Sequence, residues 1–162
     1  MEEKIKDAKS KFQFIDNYIT ECNYKINNRD IKNRKMDVEI EVRFSNIKTE
    51  KEKKKAELRM KNYIKIKGDN NESLVDMEVE MAGIFEGENM DDDQFMNYMK
   101  YSGAPIISQQ IRSYVMTVST LSGIQTIRLP LVNYSEFFKN AKVKENEGWN
   151  KEFENMKKYG II

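Results

Sequence analysis

Histidine is absent from the 162 residues, cysteine occurs once, as Cys22, and proline only twice, as Pro105 and Pro130. Without histidine there is no Cys/His zinc site, no Ser-His-Asp triad and no Cys-His nucleophile pair. One thiol excludes an internal disulfide. Neither sign of charge dominates: Lys+Arg number 28 and Asp+Glu 27, a net charge of +1, which excludes polyanion binding driven by bulk charge. No apolar run approaches the roughly 18 residues of a membrane span. The opening MEEKIKDAKSKF has no apolar signal-peptide core. These absences predict a soluble cytoplasmic protein of a reducing compartment, not an enzyme, with no cofactor, metal, nucleic-acid or membrane partner. The length suits a single domain over 1–162.

What is present is alternation. MDVEIEVRF sets Val38, Ile40, Val42 and Phe44 against Glu39, Glu41 and Arg43. AELRMKNYIKIK does the same with Ala56, Leu58, Met60, Ile64 and Ile66, and SLVDMEVEM with Val75, Met77, Val79 and Met81. Such a period of two makes strands with one buried and one wet face. An earlier strand, with Phe12, Phe14, Tyr18, Cys22, Tyr24 and Ile26 on its apolar side, is interrupted by Asp16 and Thr20. Four strands are expected, at 12–26, 37–47, 55–67 and 73–85. Charge pairing suggests their register: Arg43 beside Glu57, Glu41 beside Arg59, Glu39 beside Lys61, then Lys67 beside Asp76 and Lys65 beside Glu78. Opposite charges across strands contribute only about 0.2–1 kcal/mol each, but like charges are penalised. The second, third and fourth strands therefore form a meander.

The second half has helical spacing. Asp91 to Asp93 precede a short helix at 91–101, for which a cap is favoured over a cation site. Gly103 breaks it, and Pro105 opens a helix over 105–122 that ends at Gly123. Its apolar stripe is Ile107, Ile111, Tyr114, Val115, Val118 and Leu121. A third helix, 134–142, is capped by Asn133 or Ser135. An amphipathic, turn-rich extension with Trp149, Phe153, Met156 and Tyr159 fills 144–162. Strands followed by helices make an α+β domain with helices on one sheet face.

Most carboxylates, including the pairs Glu39/Glu41 and Glu78/Glu80, fall on the wet face with cationic neighbours, and Cys22 reads as a small buried residue. The long helix is more informative. Its back carries Gln109, Gln110, Ser113, Met116, Thr117 and Thr120, and from Ile106 to Ser122 the only charge is Arg112. In a chain with 34% charged residues, such depletion fits a face buried against another subunit, with Gln110, Ser113, Thr117 and Thr120 at the interface. The alternative is cover by the chain's own C-terminal segment. Ten Met, eight Phe and eight Tyr suggest an adaptable apolar surface for flexible or unfolded chains.

Together, AGIFEG, YSGAPIISQQIRSYVMTVSTLSG and IRLPLVNY followed by SEFF resemble the SecB export-chaperone family, in order and spacing. FQFIDNYITECNYKI is similar to that family's first strand. The resemblance implies a four-stranded antiparallel sheet of order 1-4-3-2 and a homotetramer, a dimer of dimers clasping the long helix. It implies ATP-independent holding of unfolded or precursor chains and delivery to the SecA motor. It places a client groove at Ile84, Phe85, Leu129, Val132, Tyr134 and Phe137, and an acidic motor-docking face at Glu21, Asp76 and Glu78. Lys25 stands where that face expects an acid, Asp76 where the family has leucine, and Gln125-Thr126 replaces a Phe-Pro pair. A SecB-like chaperone dedicated to one partner, such as an antitoxin, is the alternative role.

Overall fold

The computed structural model describes residues 10–146 and 149–161, with side chains described over 10–144 and 151–154. Its strands are β1 (Phe12–Ile26), β2 (Lys35–Phe44), β3 (Lys48–Glu50), β4 (Lys53–Lys67), β5 (Ser73–Glu88), β6 (Lys142–Asn146) and β7 (Trp149–Ile161). They form one antiparallel sheet along the path β1-β5-β4-β2-β7-β6, with β3 on β4 continuing the line of β2. The expected order of four is present as β1-β5-β4-β2. The expectation of only four strands is corrected to seven: the strand foreseen at 37–47 ends at Phe44, a short β3 forms in the connection after it, and the extension at 144–162 is a hairpin, β6–β7.

That hairpin lies along the free edge of β2, from Phe44 opposite Lys151 to Lys35 opposite Ile161. Its apolar residues Trp149, Phe153, Met156 and Tyr159 are spaced by four, three and three, a helical period, so the sequence carries little strand signal. Phe153 is buried; the side chains of Trp149, Met156 and Tyr159 lie outside the described residues.

Both charge-derived registers are two residues out. Arg43 faces Arg59 and Glu41 faces Lys61, while Lys65 faces Asp76 and Tyr63 faces Glu78. A shift of two keeps every side chain on its expected face, so the core is unchanged. In β1, bulges at Ile15 and Thr20 resolve the interrupted alternation. They turn Ile19 to the core, send Tyr18 to the wet face, where its hydroxyl lies 3.3 Å from Glu57, and leave Ile15 exposed. Cys22 is exposed, correcting its expected burial: it sits on the outermost strand of the sheet, although Tyr114 of the long helix reaches it.

The helical run has no break at Gly103. α1 (Asp92–Tyr98) continues through a π turn at Met99–Gly103 into α2 (Ala104–Leu121). Asp91 caps it, its carboxylate accepting from the Gln94 amide at 2.8 Å while Gln94 reaches back to the Asp91 amide. Gly103 lets the run cross close over Phe85, whose ring lies 3.2 Å from where a Cβ would stand. Gly123, at φ +74°, ends α2 in the left-handed conformation that favours glycine. α3 (Tyr134–Asn140) begins at Asn133, whose side chain accepts from the amides of Ser135 and Glu136. Ile107, Ile111 and Val115 of α2 press onto Val79, Met81, Met60 and their neighbours, forming a single core between sheet and helices. Leu121, expected in that stripe, is 82% exposed.

Candidate functional site

Between α2 and α3 the chain runs extended over 124–133 and lies as a strap on the helix side of the sheet. Ile124, Ile127 and Leu129 point inward and are buried. α2 grips the strap at two places. Arg112 Nε donates to the Leu129 carbonyl at 2.8 Å, and the Ile127 amide donates to Ser119 Oγ at 2.9 Å. Leu131 faces out, 78% exposed, beside half-buried Val132.

The residues assigned to a client groove separate on this scaffold. Phe85, Leu129, Tyr134 and Phe137 are buried: Phe85 stacks on Phe12 at 5.3 Å, and Tyr134 packs on Phe137 at 5.5 Å. Ile84 is half-buried on the opposite face from Phe85, opposite Asp16 and Glu57. Beneath the strap only a cavity of about 10 Å³ remains, lined among others by Ile40, Asn62, Arg112 and Leu129. Asn62 is buried on the core face, and its Nδ2 has no hydrogen-bond partner among the described residues. The strap thus lies closed on the sheet, with Leu131 and Val132 as its accessible apolar part.

Gln110, Ser113, Thr117 and Thr120 share one exposed face of α2, which the strap touches only at its end, where the Thr126 hydroxyl lies 2.8 Å from that of Thr120. The C-terminal segment is at the far edge of the sheet, which removes it as a cover. The hydroxyls on this face are turned inward. Ser113 donates to the Gln109 carbonyl at 3.1 Å, Thr117 to that of Ser113 at 2.9 Å and Thr120 to that of Met116 at 2.8 Å. A hydroxyl already bonded within its own helix loses little on leaving water, so this face is cheap to bury.

The open side of the sheet carries the acidic residues in one rung across six strands. Glu21, Glu80, Lys61, Glu41, Glu154 and Lys142 are successive partners from β1 to β6. Lys61 sits between Glu21 at 3.0 Å and Glu78 at 3.5 Å. The hydrogen bond from Lys61 holds the Glu21 carboxyl below the usual range, against the opposing effect of burial. Burial works against the charge of Lys61, yet hydrogen bonds to Glu21 and Tyr63 hold its ammonium well above the usual lysine range. Asp76 lies apart, between Lys25 and Lys65. The structure therefore joins Glu21 with Glu78 and gives Asp76 cationic neighbours on both sides.

Three things were not foreseen. Glu39, Glu41 and Glu154 bring carboxylate oxygens within 4.8 Å of one another. Burial raises the pKa of Glu41, reinforced by the carboxylates of Glu152 and Glu39. Phe44, Phe138 and Phe153 form an aromatic cluster, with Lys100 Nζ 5.2 Å from the Phe153 ring centre. The sequence signal was faint: only the spacing of Phe153 in the extension pointed to it. A hollow of about 780 Å³ beside the β3–β4 turn is lined by Lys48, Lys53, Glu86 and Glu88 among other charged residues. Lys53 bonds across it to Glu86 at 3.0 Å, so it suits water and ions better than an apolar ligand.

A family model described as SecB, preprotein translocase subunit SecB, matches residues 5–145. No curated protein matches the chain. Among solved structures, the fold is similar to the SecB-like chaperone Rv1957 of Mycobacterium tuberculosis, in complex with a ChAD peptide from the Rv1956 HigA1 antitoxin. The TM-score is 0.53 at 12% identity, covering 75% of this chain and 91% of that one.

Proposed function

Because the chain belongs to the SecB family, we propose that it is an ATP-independent holdase that keeps unfolded or precursor polypeptides soluble in the cytosol. The observation that carries this reading is the strap: extended backbone over 124–133, unpaired with any described strand, with Leu131 78% exposed beside Val132. An unfolded chain offers the same things, extended backbone and scattered apolar side chains, so contacts between the two need no sequence specificity. Binding acts by mass action, lowering the free concentration of the aggregation-prone species without nucleotide. The acting form is a homotetramer whose subunits meet through the uncharged face of α2. Delivery to a motor such as SecA would use the acidic residues Glu21 and Glu78.

The test is dilution of a chemically unfolded protein into buffer with and without this chain, followed by light scattering. Suppression at stoichiometric amounts for several clients is expected, weakened by Leu131→Asp with no loss of fold. Unchanged aggregation across all clients would refute the reading. A second reading, a chaperone dedicated to one antitoxin, is favoured by the antitoxin peptide bound to the similar fold from M. tuberculosis. Affinity capture returning one client in place of many would select it.

A further inference from the structure

β7 occupies its place as a bound extended peptide would. It pairs antiparallel along β2, using main-chain groups that any extended chain can offer. Among its described side chains, Phe153 anchors it. Phe153 is 4% exposed, edge-on to Phe138 at 5.0 Å and to Phe44 at 5.8 Å, with Lys100 over its ring. The walls of that seat come from β2, α3 and the π turn, all within the family match at 5–145, whereas β7 lies beyond it. The seat is thus built by the shared fold, and the occupant is added.

Arg43 faces Glu152 and Asp37 faces Lys158, but at the rung between them the occupant's charge suits the seat poorly. Glu154 stands opposite Glu41, with Glu39 close by, and Lys144 of the hairpin itself, at 3.2 Å, supplies the cation for Glu154. Main-chain pairing and the Phe153 anchor hold the strand, while carboxylates crowd its centre. Such a strand is exchangeable.

We propose that the β6–β7 hairpin is a built-in competitor for a client seat: an extended, unfolded segment bearing an aromatic residue with cations one and three positions after it displaces β7, pairs with β2 and fills the Phe153 pocket. Those cations answer Glu41 and Glu39, the register partners of Glu154 and Met156, while Arg43 faces the position before the aromatic residue. This regulation rests on the holdase reading and adds to it a place and a preference.

The probe is a fluorescein-labelled peptide with one central phenylalanine and lysines one and three positions after it, read by anisotropy beside its Phe→Gly counterpart. On the full chain, the phenylalanine peptide binds more tightly and speeds amide exchange at 152–154. Glu154→Lys, which turns the carboxylate crowd into an ion pair, latches the hairpin and weakens peptide binding about tenfold. Phe153→Ala strengthens binding by a similar factor. The latch variant keeps the test valid should Phe153→Ala lose its fold. Equal binding by the native chain and Glu154→Lys, with aggregation still suppressed, overturns the competitor role and leaves the holdase standing. Failure of the native chain to hold any client overturns both.

Discussion

Arg43 of β2 and Arg59 of β4 lie directly opposite each other, and the buried carboxylate of Glu80 on β5 reaches both guanidinium groups. Thr20 of β1 adds a hydrogen bond to Glu80 Oε1 at 2.6 Å. One acid thus ties four strands together from the open side. Removing one partner of a buried ion group leaves the other charges uncompensated, at a cost of about 3–5 kcal/mol. Glu80→Ala should therefore lower stability by about 3 kcal/mol in urea unfolding. A loss under about 0.5 kcal/mol, the size of a surface pair, would show that the arginines find other company as good.

Thr117→Lys tests the α2 face. Thr117 is exposed in the protomer and lysine is the better helix former, so the fold of one subunit should be unaffected. Within an assembly the same change buries an unpaired cation. Its cost of about 3 kcal/mol lowers the association constant roughly a hundredfold. Mass in solution is the measurement. A native oligomer and a smaller variant with unchanged circular dichroism are expected, whereas equal masses would place the interface elsewhere.

How much of this was readable without coordinates differs from element to element. β2, β4 and β5 were legible because one face is dry, and the parity of Val42, Met60 and Val79 follows from that alone. Their registers were not, because charge matching weighs each rung separately while Glu80 serves Arg43 and Arg59 together. A step of two also leaves parity untouched. Asp16 and Thr20 marked trouble in β1 correctly, since breaks in alternation are how bulges look in a sequence. The α2 face was visible as missing charge. Phe85, Tyr134 and Phe137, assigned to a groove, are the same residue types a core uses, and in the protomer they are buried. The extension was visible as amphipathic, but Trp149, Phe153, Met156 and Tyr159 follow a helical spacing, so its hairpin was not.

Asn62 offers a test of the closed strap. Its Nδ2 is buried without a partner among the described residues, next to the small cavity under Leu129. Leaving a buried amide unsatisfied costs about 1–3 kcal/mol. Asn62→Leu, which keeps the branching, fills the small cavity and faces Ile40, should raise stability by about 1 kcal/mol, or roughly 3 °C in Tm. A fall in Tm would mean that the amide is satisfied after all, by water or by the moving strap.

The pH dependence of the hairpin follows from Glu41. Burial holds its carboxyl above the ordinary range, with Glu152 and Glu39 adding to the effect, while Tyr63 and Lys61 pull it back. Glu154 and Lys144, joined to each other, complete the group around it. An acid whose folded pKa exceeds its unfolded one binds protons more tightly when folded. Docking of β7 is therefore firmest at acidic pH and weakens as pH rises from the ordinary carboxylate range through the raised value, then stays level. Amide exchange at 152–154, measured against β4 as internal reference, should show less protection at about pH 7.5 than at about pH 5. Glu41→Gln should remove that difference, since no charge then develops at the centre of the seat. A pH dependence that persists in Glu41→Gln would assign the weakening to a neighbour, with Glu39 and Glu154 the next carboxylates to exchange for glutamine.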